Sequence, residues 1–132
     1  MVTDIHLYTD CSGNGKRYGI SGLMVQYRGQ KGEETRFSER KSLFQINEDL
    51  KSSGPGSISV GETYAIINAL SKLPDTNGVK VSVYTDNLHA FNLLNGVSVP
   101  KTENLKKMCE MYERFKTLHN VEVMWIKAHV GI

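Results

Sequence analysis

Apolar and polar residues alternate near the N-terminus, where Ile5 and Leu7 are interleaved with His6 and Tyr8. That period of two predicts a strand. It stops at Asp10-Cys11-Ser12-Gly13-Asn14-Gly15, a dense run of turn formers. Tyr18 to Arg28, rich in β-branched and aromatic residues, predicts a second strand. Gly29-Gln30-Lys31-Gly32 predicts a hairpin turn, with a third strand within Glu34 to Phe44. Residues 45–58 include Lys51-Ser52-Ser53-Gly54-Pro55-Gly56-Ser57 and read as a loop, the one candidate for a flexible lid.

The period then changes. Ile66, Ala69, Leu70 and Leu73 recur at steps of three and four, predicting a helix over Ser59 to Leu73 that Pro74, Asp75, Asn77 and Gly78 end. Val79, Val81 and Val83 alternate with Lys80, Ser82 and Tyr84, a fourth strand. A short helix with Leu88, Phe91 and Leu94 inward stops at Asn95-Gly96. Pro100 and Thr102 open a longer helix with the stripe Leu105, Met108, Tyr112 and Phe115, and Val121, Val123 and Trp125 form the last strand. The chain is thus of the α/β class. Its opening hairpins predict antiparallel pairing, and its later strand–helix–strand units predict right-handed parallel crossovers.

Length and composition fit one domain over residues 1–132. The 132 residues are 39% hydrophobic, enough for one real core and too few for two typical domains. No apolar run approaches the ~18 residues of a membrane span, so no membrane partner is expected. Met-Val-Thr-Asp-Ile-His carries neither a basic leader nor an apolar signal core, and the expected location is cytoplasmic. Cys11 and Cys109 lie too far apart to form a metal-ligand cluster by spacing. Sixteen Lys and Arg against fourteen Asp and Glu leave a net charge of +2. Binding to nucleic acid through bulk charge is therefore disfavoured, and any phosphate binding must come from a local site.

The carboxylates carry the candidate chemistry. Two strands end in the same tripeptide, Tyr8-Thr9-Asp10 and Tyr84-Thr85-Asp86. Were those strands parallel neighbours in register, the two acids would lie side by side at the edge where open α/β sheets place their ligands. Carboxylates that close repel unless a proton or cation sits between them, and all-oxygen ligation suits Mg²⁺ or Mn²⁺. Each residue also has a plainer reading. Asp10 would hold the following turn, and Asp86 would cap the following helix. Glu62 shares the apolar stripe of Ile66, Ala69 and Leu73, where a carboxylate needs a partner or a metal. Ser59-Val60-Gly61-Glu62 equally matches a capping box. His129 lies beyond the last strand, where a lone histidine is ordinarily solvent-facing, and His6, His89 and His119 have no companions that suggest a site.

Taken together, Asp10 ending the first strand, Gly61-Glu62 opening the first predicted helix, Thr85-Asp86 ending the fourth strand and the tail Trp125-Ile126-Lys127-Ala128-His129-Val130-Gly131 resemble type 1 ribonuclease H. The resemblance covers nearly the whole chain. It implies a five-stranded mixed sheet in the order 3-2-1-4-5, strands 1–3 antiparallel, with helices packed on it. It implies endonucleolytic cleavage of the RNA strand of an RNA–DNA hybrid, with Asp10, Glu62 and Asp86 as ligands of two Mg²⁺ ions that clamp the scissile phosphate. By the same resemblance, His129 assists proton transfer or product release. The turn at Ser12, Gly13 and Asn14 is the candidate reader of the RNA 2′-hydroxyl: small residues let backbone amides approach, and Asn14 both donates and accepts. Ser59 stands near the place where the family often carries a side-chain amide.

Three departures set further expectations. The sequence ends at Ile132, before the helix on which the family usually carries a fourth carboxylate, so the domain is expected without that C-terminal helix. The loop over residues 45–58 is longer than usual. Ser98 to Lys107 holds only Lys101, Lys106 and Lys107 in place of the strongly basic protrusion of some members, and hybrid affinity is expected to be modest and salt-dependent. The expected partner is thus the hybrid, bound by a monomer with no small-molecule cofactor. The alternative is a catalytically weak or inactive domain of the same fold that only binds nucleic acid or protein.

Overall fold

The computed structural model describes residues 1–75 and 78–127. The strands are β1 (Asp4–Gly13), β2 (Arg17–Arg28), β3 (Lys31–Ser42), β4 (Lys80–Thr85) and β5 (Asn120–Trp125). The helices are α1 (Leu43–Leu50), α2 (Ile58–Leu70), α3 (Leu88–Leu94) and α4 (Glu103–Leu118). The strands form one sheet in the order β3-β2-β1-β4-β5. β1–β2 and β2–β3 are antiparallel, and β1–β4 and β4–β5 are parallel. This is the mixed sheet the resemblance implies.

The period-two pattern decides which face the helices cover. Ile5 and Leu7 of β1, Ile20 of β2 and Val81 and Val83 of β4 are almost wholly buried. They meet Ile66, Ile67, Ala69 and Leu70 of α2 in one core. Each fully buried aliphatic side chain contributes about 1.5–3 kcal/mol. The other face presents the half-buried rings of His6, Tyr8, Tyr27 and Tyr84; Tyr84 stacks on His6 and on Tyr8, whose ring centre is 4.7 Å from its own, and Tyr27 meets His6 edge-on. α2 is sandwiched between the sheet and α4, which explains why ten of its thirteen residues are buried and no clean polar face survives. Among the described residues no helix is long and apolar enough to cross a membrane.

Four local expectations need correction. The predicted loop 45–58 contains α1, a polar helix that buries only Ile46 and Leu50, one turn apart. Its start is fixed by a capping box: Ser42 Oγ accepts from the Gln45 amide at 3.1 Å and Gln45 Oε1 accepts from the Ser42 amide at 2.8 Å. Asp49 ties it to its neighbours, ion-paired with Lys41 and accepting from the Tyr64 hydroxyl at 2.7 Å. Second, β1 does not stop at Asp10; pairing with β2 continues to Gly13↔Tyr18. Third, the tight turn belongs to Asn14, whose Oδ1 accepts from the Lys16 and Arg17 amides. Finally, Leu88 of α3 is half exposed; Leu94 faces the core and Phe91 packs against it as expected, and Ala90 and Leu93 take the place assigned to Leu88.

Candidate active site

The twin tripeptides stand in register. Tyr8 of β1 pairs directly with Tyr84 of β4, so Asp10 and Asp86 lie two residues beyond the same rung of a parallel ladder. The Thr9 hydroxyl donates to the Tyr84 carbonyl at 3.4 Å, and the Trp125 indole N–H donates to the Asp86 carbonyl at 3.2 Å. Both acids are therefore fixed by backbone that neighbouring strands hold.

Glu62 arrives from the helix layer. The cap of α2 is Ser57, not Ser59: Ser57 Oγ accepts from the Val60 amide at 3.1 Å. The start of the helix is pinned by Tyr18, whose hydroxyl donates to the Ser57 carbonyl and accepts from the Ser57 amide, both at 3.0 Å. Gly61 then allows α2 to lie directly against β1 and β2. A Cβ at residue 61 would stand 2.4 Å from the Tyr18 ring and 2.6 Å from Cys11 Sγ. Gly61→Ala is accordingly expected to lower stability by about 1–3 kcal/mol despite alanine's better helix propensity. It should also displace Glu62; urea unfolding and cation titration of the variant measure the two effects.

These elements bring Asp10, Glu62 and Asp86 together. One carboxylate oxygen of each lies within 4.8 Å of the others. Glu62 is 6% exposed, and its Oε2 is buried with no hydrogen-bond partner. Burial, with Asp10 and Asp86 beside it, pushes Glu62 up to about 8. The plainer readings of these acids do not hold. Asp10 Oδ1 accepts from the adjacent Cys11 amide at 2.9 Å inside a continuing strand, and Asn87, not Asp86, caps α3. The Ser59–Glu62 capping box does not form, since Ser59 is already inside the helix. An orphaned buried oxygen within an all-carboxylate donor set fits a hard divalent cation. Cys11, beside Glu62, stays a neutral thiol: burial and the adjacent carboxylates push it up to about 12.

The remaining candidates divide. Ser12, Gly13 and Asn14 are exposed just past Asp10. Ser59 lies one helical turn before Glu62, and its hydroxyl is 2.6 Å from His89 Nδ1. His89 is a neighbour that the pattern reading passes over. The signal available was its place three residues after Asp86, one turn along a helix that starts at the site. His129 lies outside the described residues.

Solved structures share the fold. The N-terminal RNase H domain of a Mycobacterium tuberculosis protein superposes with a TM-score of 0.66 at 13% identity, over 94% of this chain and 82% of that one. RNase H1 of the halophilic archaeon Halobacterium salinarum gives 0.64 at 15% identity, over 93% and 85%. LC11-RNase H1, solved in complex with an RNA/DNA hybrid, gives 0.60 at 20% identity, over 96% and 89%. No curated protein matches the chain. The match that decides kinship is to the RNase H family model over residues 2–132, and by it this chain belongs to the ribonuclease H family.

Proposed function

We propose that this chain is an endoribonuclease that hydrolyses the RNA strand of RNA–DNA hybrids with divalent cations held by Asp10, Glu62 and Asp86. The observation that carries this reading is the convergence of those three carboxylates, with Glu62 Oε2 buried and unpartnered. Mg²⁺, with Mn²⁺ as substitute, suits the donor set. Two such ions, when bound, supply Lewis acidity to the scissile phosphate and a water of lowered pKa. Asp10, on the middle strand of the sheet, would hold the cations together with Glu62 and Asp86.

The chain's other groups select and hold the substrate. Asn14 spends its side-chain carbonyl on the Lys16 and Arg17 amides, which leaves its Nδ2 to donate to a 2′-hydroxyl. Ser12 and Gly13 expose backbone beside Asp10 without a bulky side chain between it and the strand being cut. Ser59, oriented by His89, offers a hydroxyl on the helix side of the same edge. His129 is assigned to proton transfer or product release. That a family member of the same fold was solved with an RNA/DNA hybrid supports the substrate class.

The test is incubation with a hybrid labelled on each strand in turn, in Mg²⁺ or Mn²⁺. Internal cuts in the RNA strand and an intact DNA strand are expected. Hybrid binding without turnover in either metal would instead assign the chain to nucleic-acid binding alone.

A further inference from the structure

Beside the carboxylates, at the same end of the sheet, lies a cleft of about 800 Å³. Its floor is the row Ser12–Gly19–Arg40, directly paired across β1, β2 and β3. Its sides are Arg17 at the start of β2 and the outer face of α1, from which Phe44 projects 73% exposed. The volume is that of a ligand cleft rather than a surface dimple.

Three features give this cleft a definite chemistry. Gly19 keeps the floor open, since a Cβ there would stand 2.9 Å from Ser12 Oγ. Arg17 and Arg40 are exposed and take part in no ion pair among the described residues, whereas Lys41 at the cleft wall is already bound to Asp49. Glu48 is the one carboxylate of the lining. Phe44 is a large apolar ring held out on a capped helix whose other face anchors Ile46 and Leu50 in the core. Free guanidinium groups beside an exposed aromatic ring are the combination that grips a single nucleic-acid strand, the cations taking backbone phosphates and the ring a sugar or base face.

Continuity selects the strand. Ser12 and Gly13 line the cleft and are also the residues that follow Asp10. Strands of a sheet lie about 4.8 Å apart, so the Arg40 backbone stands roughly 10 Å from that of Ser12, within reach of the next phosphates along. We propose that this cleft is an accessory groove for the RNA strand of the hybrid on one side of the cut, with Arg17 and Arg40 on its phosphates and Phe44 against a sugar or base. The proposal rests on the ribonuclease reading for its ligand and concerns residues outside the carboxylate trio. It places hybrid affinity in two arginines and a ring rather than in net charge.

The experiment is fluorescence-anisotropy binding of a labelled RNA–DNA hybrid in EDTA across a salt series, so that no turnover occurs. The proteins are the parent chain, Arg17→Ala/Arg40→Ala, the double Arg→Lys variant and Phe44→Ala. All three positions have exposed side chains, so the variants should fold; circular dichroism and melting temperature check that they do. Loss of two phosphate contacts should flatten the slope of log K against log salt by about 2 and weaken low-salt binding at least tenfold. The Lys pair should restore the slope. Phe44→Ala should weaken binding about tenfold and leave the slope unchanged. Parent-like slope and affinity in the double Ala variant would overturn the groove, even if the parent cleaves hybrid. A flattened slope in a protein whose parent never cleaves hybrid would retain the groove and remove the catalytic reading. Equal losses on duplex DNA and on hybrid would overturn the assignment to the RNA strand.

Discussion

Asp10→Asn should abolish hybrid cleavage and, in the metal-free protein, raise stability. The two effects have one cause. The substitution keeps the shape of the side chain and the acceptor for the Cys11 amide, so β1 and its pairing are undisturbed. What it removes is the charge of one of three carboxyl groups whose oxygens lie within 4.8 Å of one another. A cation site that loses a charged ligand forfeits several kcal/mol of stabilisation where phosphate charge develops, about a thousandfold or more in rate. Without cations the same charge is a liability, because Glu62 is buried against it. Relief of that repulsion should stabilise the apo fold by about 1 kcal/mol. Single-turnover cleavage and urea unfolding in EDTA read the two quantities. A residue that merely held a turn would lose stability on substitution and leave cleavage largely intact, so a destabilised, active variant would refute the assignment of Asp10.

The neighbourhood of β1 and β4 and the candidacy of Asp10, Glu62 and Asp86 were legible in short-range patterns, whereas the full sheet order and the joining of the three acids into one site came from the resemblance to ribonuclease H. Tyr8-Thr9-Asp10 and Tyr84-Thr85-Asp86 announce two strands ending alike, and the parallel pairing Tyr8↔Tyr84 makes that likeness a spatial fact. Glu62 announced itself by sharing a helical stripe with Ile66, Ala69 and Leu73. The other reading of that glutamate, a cap of its own helix, failed for a physical reason outside the local pattern. Tyr18 grips Ser57 from a different strand and starts α2 before Ser59, which places Ser59 in the first turn. α1 was illegible for a related reason. Eight residues with two buried aliphatics give no measurable period, and the helix is secured by the Ser42–Gln45 box and by Asp49 reaching Lys41 and Tyr64. Similarly, Cys11-Ser12-Gly13 has the composition of a turn and lies in a strand because β2 supplies partners as far as Tyr18. Tertiary contacts overrode local preference where small polar residues left the preference weak. Those same segments, the end of β1 and α1, line the groove.

The second large effect is a pH dependence of stability that divalent cations reverse. Glu62 has the ordinary glutamate value of 4.5 in the unfolded chain and is pushed up to about 8 in the fold, by burial and then by Asp10 and Asp86. Between those values the folded protein binds more protons than the unfolded one, so stability falls as pH rises through the window and levels off above it. The slope from this group is at most about 1.4 kcal/mol per pH unit, since one pKa unit corresponds to that free energy. In EDTA, melting temperature should therefore decline from pH 5 towards pH 8, by roughly 4 °C for each kcal/mol. On the proposed function, excess Mg²⁺ would compete with the proton for the same buried oxygen and bind only the fold, so its stabilisation should be small near pH 5 and largest at pH 8 and above. In Glu62→Gln the decline in EDTA should vanish, along with most of the Mg²⁺ response, because the group that titrates is also the proposed ligand. Thermal melts at several pH values, with and without Mg²⁺, measure all of this. A Mg²⁺ response of equal size at both ends of the window would mean that Glu62 is not where the cation enters, and the trio would have to be reassigned.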